Sequence, residues 1–296
     1  MTERTAIQRA LESAGLPPIV TGVADLSGGC IHRVVRVTLD DGREIVGKMN
    51  SADQLPLFEE EAAGLAALAK TNTVVTPRPL VAGAFGSHAV LLMTMLARGG
   101  EGDESWPRFG RELAALHAVD VGSRYGFHAD NHLGSTFQPN TWCDDWVEFN
   151  ARYRLGHQIS LARSGGLLAG GELRRLETLI GRLEQFIPRR PKPALLHGDL
   201  WSGNALPTRD ANGEPRIGII DPACSVGDGW ADVAMMRLFG GFSRSCHEAY
   251  AGAVDDHDRI GQRLLVYQLY HLLNHVNLFG RGYAGQVMSV VDRLGC

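Results

Sequence analysis

The sequence predicts an α+β protein of two lobes, an antiparallel sheet with one helix followed by a mainly helical region. Three observations carry this. Short β-branched runs separated by turns fill the first third of the chain, the hydrophobic period changes from two to three-and-four at Leu57, and helical patterns dominate after Gly100. A chain of 296 residues exceeds the usual single-domain size. The boundary is set at residue 97, giving an N-terminal lobe of 1–97 and a C-terminal lobe of 98–296.

The N-terminal elements follow in order. A strand from Gly22 ends at Leu26-Ser27-Gly28-Gly29-Cys30, where two glycines give the junction conformational freedom. Ile31–Leu39 alternates as a strand, Asp41-Gly42 supplies a tight turn, and Glu44–Met49 resumes an apolar strand, so the pair reads as a hairpin. In Leu57–Lys70 the residues Phe58, Ala62, Leu65 and Leu68 fall at helical spacing with Glu59, Glu60 and Glu61 in the first turns. Pro77 and Pro79 end that region. Strands are expected at Leu80–Ala84 and Ala89–Leu96, and Ala97-Arg98-Gly99-Gly100 is a linker. Beyond it, helices are expected over Pro107–Ala118, Trp142–Ser160, Gly171–Phe186, Ala231–Phe239, Ser243–Ala251 and Arg259–Phe279. A strand-loop-strand region from Ala194 to Asp221 interrupts them.

Composition excludes several classes. Hydrophobic residues at 44% and charged residues at 21% describe a chain that can bury a core, not a disordered one. A formal charge of -4 without any basic run argues against nucleic acid as a partner. Met1–Gly15 carries Glu3, Arg4, Arg9 and Glu12, unlike a secretory signal, and Ala89–Ala97 is too short to span a bilayer, so the expectation is no membrane association and a cytoplasmic location. Five scattered cysteines, with no Cys-x-x-Cys pair, speak against structural zinc and a disulfide framework.

Chemistry is concentrated in His197-Gly198-Asp199-Leu200-Trp201-Ser202-Gly203-Asn204, which sets an aspartate five residues before an asparagine. That is the spacing of a kinase catalytic loop. Asp199 would accept the proton of a substrate hydroxyl, and Asn204 would reach magnesium through its amide oxygen. Asp221 follows the apolar strand Ile217–Ile220 and would bring a second ligand to the same ion. Singly, Gly-Asp and Asp-Pro are ordinary turn formers. Upstream, Lys48 ends a strand and Glu61 lies on the next helix, the arrangement that clamps the phosphates of ATP. Gly28-Gly29 alone could be a plain turn. The five parts nevertheless occur in kinase order. A hinge near Met93–Arg98 would add Met93 and Leu96 to the nucleotide site. Between Asp221 and Asp232 only ten residues intervene, too few for a long activation segment, which favours a small-molecule acceptor.

With these motifs the chain resembles the fructosamine/ketosamine-3-kinases, which belong with aminoglycoside phosphotransferases and choline kinases among protein-kinase-like enzymes. The resemblance covers nearly the whole chain. Its most specific pieces are His197–Asn204, the stretch Asn131-His-Leu-Gly-Ser-Thr-Phe-Gln-Pro-Asn-Thr-Trp-Cys-Asp-Asp-Trp146, and Tyr267-Gln-Leu-Tyr-His-Leu-Leu-Asn-His275. It implies a protein-kinase-like fold and transfer of phosphate from ATP, with Mg2+, to the 3-hydroxyl of a ketosamine. The product is labile and sheds its sugar, a deglycation repair; small or protein-bound adducts are the expected substrates. Trp201 would then line the sugar pocket, with core packing as the alternative. One departure stands out: Gly227-Asp228-Gly229-Trp230 replaces the Gly-His-Arg-Glu-like run usual after Asp221-Pro222-Ala223, while Asp232 matches the acidic residue that follows.

Other features carry simpler readings. His271 and His275, four apart on a helix, lack a third zinc ligand and are taken as packing or substrate-pocket residues; Tyr267, Tyr270 and Phe279 are taken as core. Cys30 beside the glycine turn suggests oxidation-sensitive activity. Rival readings are a phosphotransferase for an aminoglycoside or amino alcohol, and a non-catalytic nucleotide-binding module. Oligomeric state is not legible.

Overall fold

In the computed structural model, residues 1–26, 32–210 and 212–296 are described. They group into two units, Met1–Gly102 with Leu206–Asp221, and Asp103–Ala205 with Pro222–Cys296.

The first unit is built on a five-stranded antiparallel sheet, β1 (Val20–Asp25), β2 (Arg33–Leu39), β3 (Glu44–Ser51), β4 (Pro79–Phe85) and β5 (His88–Thr94), in the order β1-β2-β3-β5-β4. Its two faces are both covered. One packs on α1 (Glu3–Ser13), whose Ala6, Ile7, Ala10 and Leu11 meet Val35, Val37, Ile45, Val90 and Leu92. The other packs on α2 (Leu55–Thr71), where Phe58 and Leu65 meet Ala89, Leu91 and Met93. Alternation along β5 thus supplies Val90 and Leu92 to one layer and Leu91 and Met93 to the other.

The second helix is an addition to the sheet with one helix expected from sequence. Its signals are ordinary ones: Thr2 accepts a hydrogen bond from the Thr5 amide as an N-cap, and apolar pairs recur four residues apart. The stretch 206–221 joins this unit, away from the single boundary expected at residue 97. Strand β9 (Ala205–Arg209) pairs with β10 (Pro215–Ile219), Ile219 N donates to Val75 O at 2.8 Å, and Thr208 Oγ1 donates to Ala97 O at 2.6 Å. These long-range bonds leave no trace in local periodicity.

The second unit is mainly helical: α3 (Ser105–Ala118), α4 (Trp146–Phe149), α5 (Leu155–Ser164), α6 (Gly170–Ile180), α7 (Trp230–Phe239), α8 (Arg244–Ala251), α9 (Ile260–Phe279) and α10 (Ala284–Arg293). The helix expected from Trp142 begins at Trp146 instead, because the Asp145 carboxylate caps it by accepting from Glu148 N at 2.9 Å. A π-helical turn, Asn150–Arg154, then separates α4 from α5. Two short ladders complete the unit: β6 (Asn131–Leu133) with β7 (Thr136–Gln138), and β8 (Pro193–Leu196) with β11 (Ser225–Asp228). Among the described residues no helix is long and apolar enough to cross a membrane.

Candidate active site

In the first unit, strand alternation points Lys48 to the same face as Val46, toward α2, where Glu61 follows Phe58 by three residues and precedes Leu65 by four. The Lys48 ammonium donates to Glu61 Oε1 at 2.7 Å and to Asp221 Oδ1 at 2.6 Å. Lys48 is buried, with only 8% of its side chain exposed, whereas the Asp221 side chain is 44% exposed. Burial alone would lower the lysine pKa, but the two carboxylates outweigh it and hold the ammonium charged. Burial raises the Glu61 carboxyl, Lys48 pulls it back, and sharing one cation with Asp221 pushes it up again.

Asp221 sits just beyond β10 with φ 56, a left-handed conformation that a non-glycine residue holds at a cost of about 1–3 kcal/mol. Such strain persists where surrounding contacts over-determine it, here the Lys48 bond on Oδ1. Leu96 packs against the neighbouring strand: a Cβ on Gly218 would stand 2.6 Å from Leu96 Cδ1, so the strand can approach only without a side chain there. Met93 points into the core against α2. His32, not singled out from the sequence, hydrogen-bonds through Nδ1 with the Asn50 amide at 2.9 Å and meets Phe58 edge-on. Burial, then Lys48, lowers its pKa. Gly28, Gly29 and Cys30 lie outside the described residues.

In the second unit, the catalytic-loop candidate is held from behind. His197 N and Gly198 N donate to the two oxygens of Asp232 at 2.8 and 2.9 Å. That carboxylate is 1% exposed and also meets His117 Nε2 at 3.2 Å, whose Nδ1 lies 2.9 Å from Tyr250 Oη. Burial by itself would raise Asp232; the hydrogen bonds from His117 and Gly198 reverse this and hold the carboxyl below its ordinary range. Gly198 has φ 83, and a Cβ there would stand 2.1 Å from Ala223 O, so the residue before Asp199 must be glycine on two separate counts.

Asn204 Nδ2 donates to the Asp199 carbonyl at 2.9 Å and to Asp199 Oδ2 at 3.3 Å, which ties the two ends of the loop and leaves the amide oxygen turned away from that bond. Trp201 is 42% exposed and its indole lies over Gly203, where a Cβ would stand 2.2 Å from the ring. His271 is buried, and burial followed by His275 brings its pKa down to about 3, so the ring is neutral. It lines a cavity of about 30 Å³ with Asp232, Arg154, Tyr267 and Tyr270. Among the described residues its Nδ1 has no hydrogen-bond partner. His275 Nδ1 donates to the His271 carbonyl at 2.8 Å.

The unusual run before α7 has a structural task. Asp228 accepts from Arg263 Nε at 3.0 Å and Nη2 at 2.6 Å, and from the Tyr267 hydroxyl; Trp146 Nε1 in turn donates to Tyr267 Oη at 2.9 Å. Arg263 and Asp228 are both buried, and Arg263 also bonds Asp256 at 2.8 Å. Sequence reading placed Tyr267 and Tyr270 in the core, as found; Phe279, the last residue of α9, is instead 66% exposed, with its ring against His275 and Tyr283.

Comparison with known proteins decides the family. The sequence profile described as fructosamine kinase matches residues 3–295. The chain belongs to the fructosamine kinase family. It is similar to a probable ketoamine kinase of Synechocystis sp., 39% identical over 292 residues that span 98% of this chain and 96% of the relative. It is also similar to the chloroplastic protein-ribulosamine 3-kinase of Arabidopsis thaliana, 37% identical over 281 residues, 92% of this chain and 82% of that one. Among solved structures, a proposed fructosamine-3-kinase of Thermobifida fusca superposes with TM-score 0.86 at 29% identity, covering 98% of each chain. An aminoglycoside phosphotransferase superposes with TM-score 0.63 at 19% identity, covering 97% of each, and so shares the fold. This member of the fructosamine kinase family is therefore an enzyme, a phosphotransferase of protein-kinase-like fold.

Proposed function

We propose that the chain phosphorylates the 3-hydroxyl of a ketosamine, free or attached to a protein lysine, using ATP and magnesium. The observation that carries the reading is the buried Lys48 ammonium, held charged between Glu61 and Asp221. A desolvated cation fixed by a helix carboxylate is suited to bind the phosphates of a nucleotide. Relatives named for ketoamines and protein-ribulosamines favour a ketosamine over an aminoglycoside or amino alcohol.

The donors fit magnesium. Asn204 spends its amide N–H on Asp199 and Asp221 spends Oδ1 on Lys48, so each retains a hard oxygen of the kind this ion prefers. Asn204 and Asp221 are assigned to hold it; when bound, it supplies charge neutralisation on the phosphates. Asp199 accepts the proton of the attacking hydroxyl while Asn204 and Asp232 keep its loop in place. Gly28, Gly29, Met93 and Leu96 remain assigned to the nucleotide, and Trp201, His271 and His275 to the acceptor.

The test is magnesium-dependent ATP consumption across ketosamines, aminoglycosides and amino alcohols. Activity on ketosamines is expected, with Asp199→Asn lowering kcat by about 10²–10⁴-fold while nucleotide still binds. Turnover confined to another acceptor class would overturn the substrate assignment, and wild-type turnover by Asp199→Asn would overturn the base.

A further inference from the structure

Around His275, at the C-terminal ends of α7 and α9, stand three rings, Phe239, Phe279 and Tyr283, that the loop chemistry leaves without a task. Phe279 is 66% exposed and Phe239 42% exposed, an arrangement of large apolar side chains that ordinarily marks a contact surface. They surround His275, whose ring centroid lies 4.8 Å from Phe239, 5.4 Å from Phe279 and 5.0 Å from Tyr283. Phe279 and Tyr283 are themselves 6.2 Å apart. Because His275 Nδ1 is committed as a donor to the His271 carbonyl, the acceptor position of its imidazole is Nε2.

This group adjoins the catalytic loop. Phe239 is followed by Gly240 and Gly241, and a Cβ on Gly241 would stand 2.4 Å from Ser202 Cβ, so the chain leaving α7 lies against the loop three residues beyond Asp199. Trp201, the neighbour of Ser202, is half-exposed beside it. An acceptor with its hydroxyl at Asp199 therefore has the ring cluster within reach of its remainder.

Ring faces around a nitrogen lone pair are the complement of a protonated amine: the cation lies against the rings, its N–H donates to the imidazole, and an attached alkyl chain covers the exposed carbon. We infer that Phe239, His275, Phe279 and Tyr283 form the amine subsite of the acceptor, receiving the protonated secondary amine of the ketosamine and the chain it carries. This assignment rests on the ketosamine reading and deepens it, since it makes the charge on the amine, as well as the sugar, a determinant of selectivity.

The experiment compares KM for two acceptors, a ketosamine of a lysine derivative and its N-acylated analogue, which keeps the sugar and removes the charge. Wild type is expected to prefer the charged compound. Phe279→Ala should raise KM for it about fivefold, with KM for the acylated compound within about twofold of wild type. Phe279→Leu keeps apolar surface without a ring face and should resemble Phe279→Ala. Full recovery in Phe279→Leu, an equal KM rise for both compounds, or unchanged KM values in Phe279→Ala would overturn the amine subsite while leaving the ketosamine reading intact. A wild type silent with every ketosamine would overturn both.

Discussion

Removing the Asp232 carboxylate tests whether the loop assigned to catalysis, His197–Asn204, is held in place from behind. In Asp232→Ala, His197 N and Gly198 N lose their acceptors at once, and His117 Nε2 loses its partner. A buried N–H left unpaired costs about 1–3 kcal/mol, so the two amides together set a range of about 2–6 kcal/mol. The adjoining cavity of about 30 Å³, enlarged by the missing carboxylate, can admit water to both amides, which places the expected loss at the lower end, about 2–3 kcal/mol. Urea unfolding measures it. A purely structural role would stop there, but these amides flank Asp199, and a loop shift of about 1 Å can cost about 10²-fold in rate. The folded variant should therefore show kcat reduced by about that factor. Its KM for ATP is expected to change little, because Lys48 and Glu61 do not depend on Asp232. Loss of stability with wild-type kcat would refute the positioning argument, and no loss of either would refute the hydrogen-bond account altogether.

His271 and Asp228 yield further expectations. His271 is neutral when folded, with a pKa lowered from 6.5 to about 3, so its contribution to stability is present above pH 6.5 and is lost as pH falls toward 3. Between pH 7 and pH 5 urea stability should drop by up to about 2 kcal/mol from this ring, and His271→Gln should remove that part of the slope; an unchanged slope would contradict it. Asp228→Ala strands the buried Arg263 with Asp256 as its remaining carboxylate and should cost about 3–5 kcal/mol by denaturation. The double variant with Arg263→Leu should recover part of that loss, and failure to do so would show that the pair does not act as a unit.

The candidate site was legible in the sequence to the extent that its parts are local. Glycine, aspartate and asparagine at fixed spacing in His197–Asn204 state a loop and its donors, and Lys48 and Glu61 fall on a strand face and a helix face that periodicity identifies. The contact of Lys48 with Asp221 crosses 173 positions and has no local signature. Asp232 was visible only as a matching acidic residue; that its carboxylate takes two loop amides depends on where α7 begins relative to β8. The run Gly227–Trp230 looked like a departure near the metal site and proved to be a buried anchor, because Arg263, its counter-charge, lies 35 positions away.

Residue order alone determined the α+β division, the strand and helix periods of the first unit and the family, and it supplied the motif on which the proposed chemistry of the loop rests, since each is written in spacing or in motif. Tertiary structure alone decided that α1 covers the second face of the sheet, that 206–221 folds with the first unit, and that Phe279 emerges from its helix into solvent. The physical reason is common to all three. Burial is a property of what packs opposite a side chain, and a helix period specifies a face without specifying what, if anything, covers it.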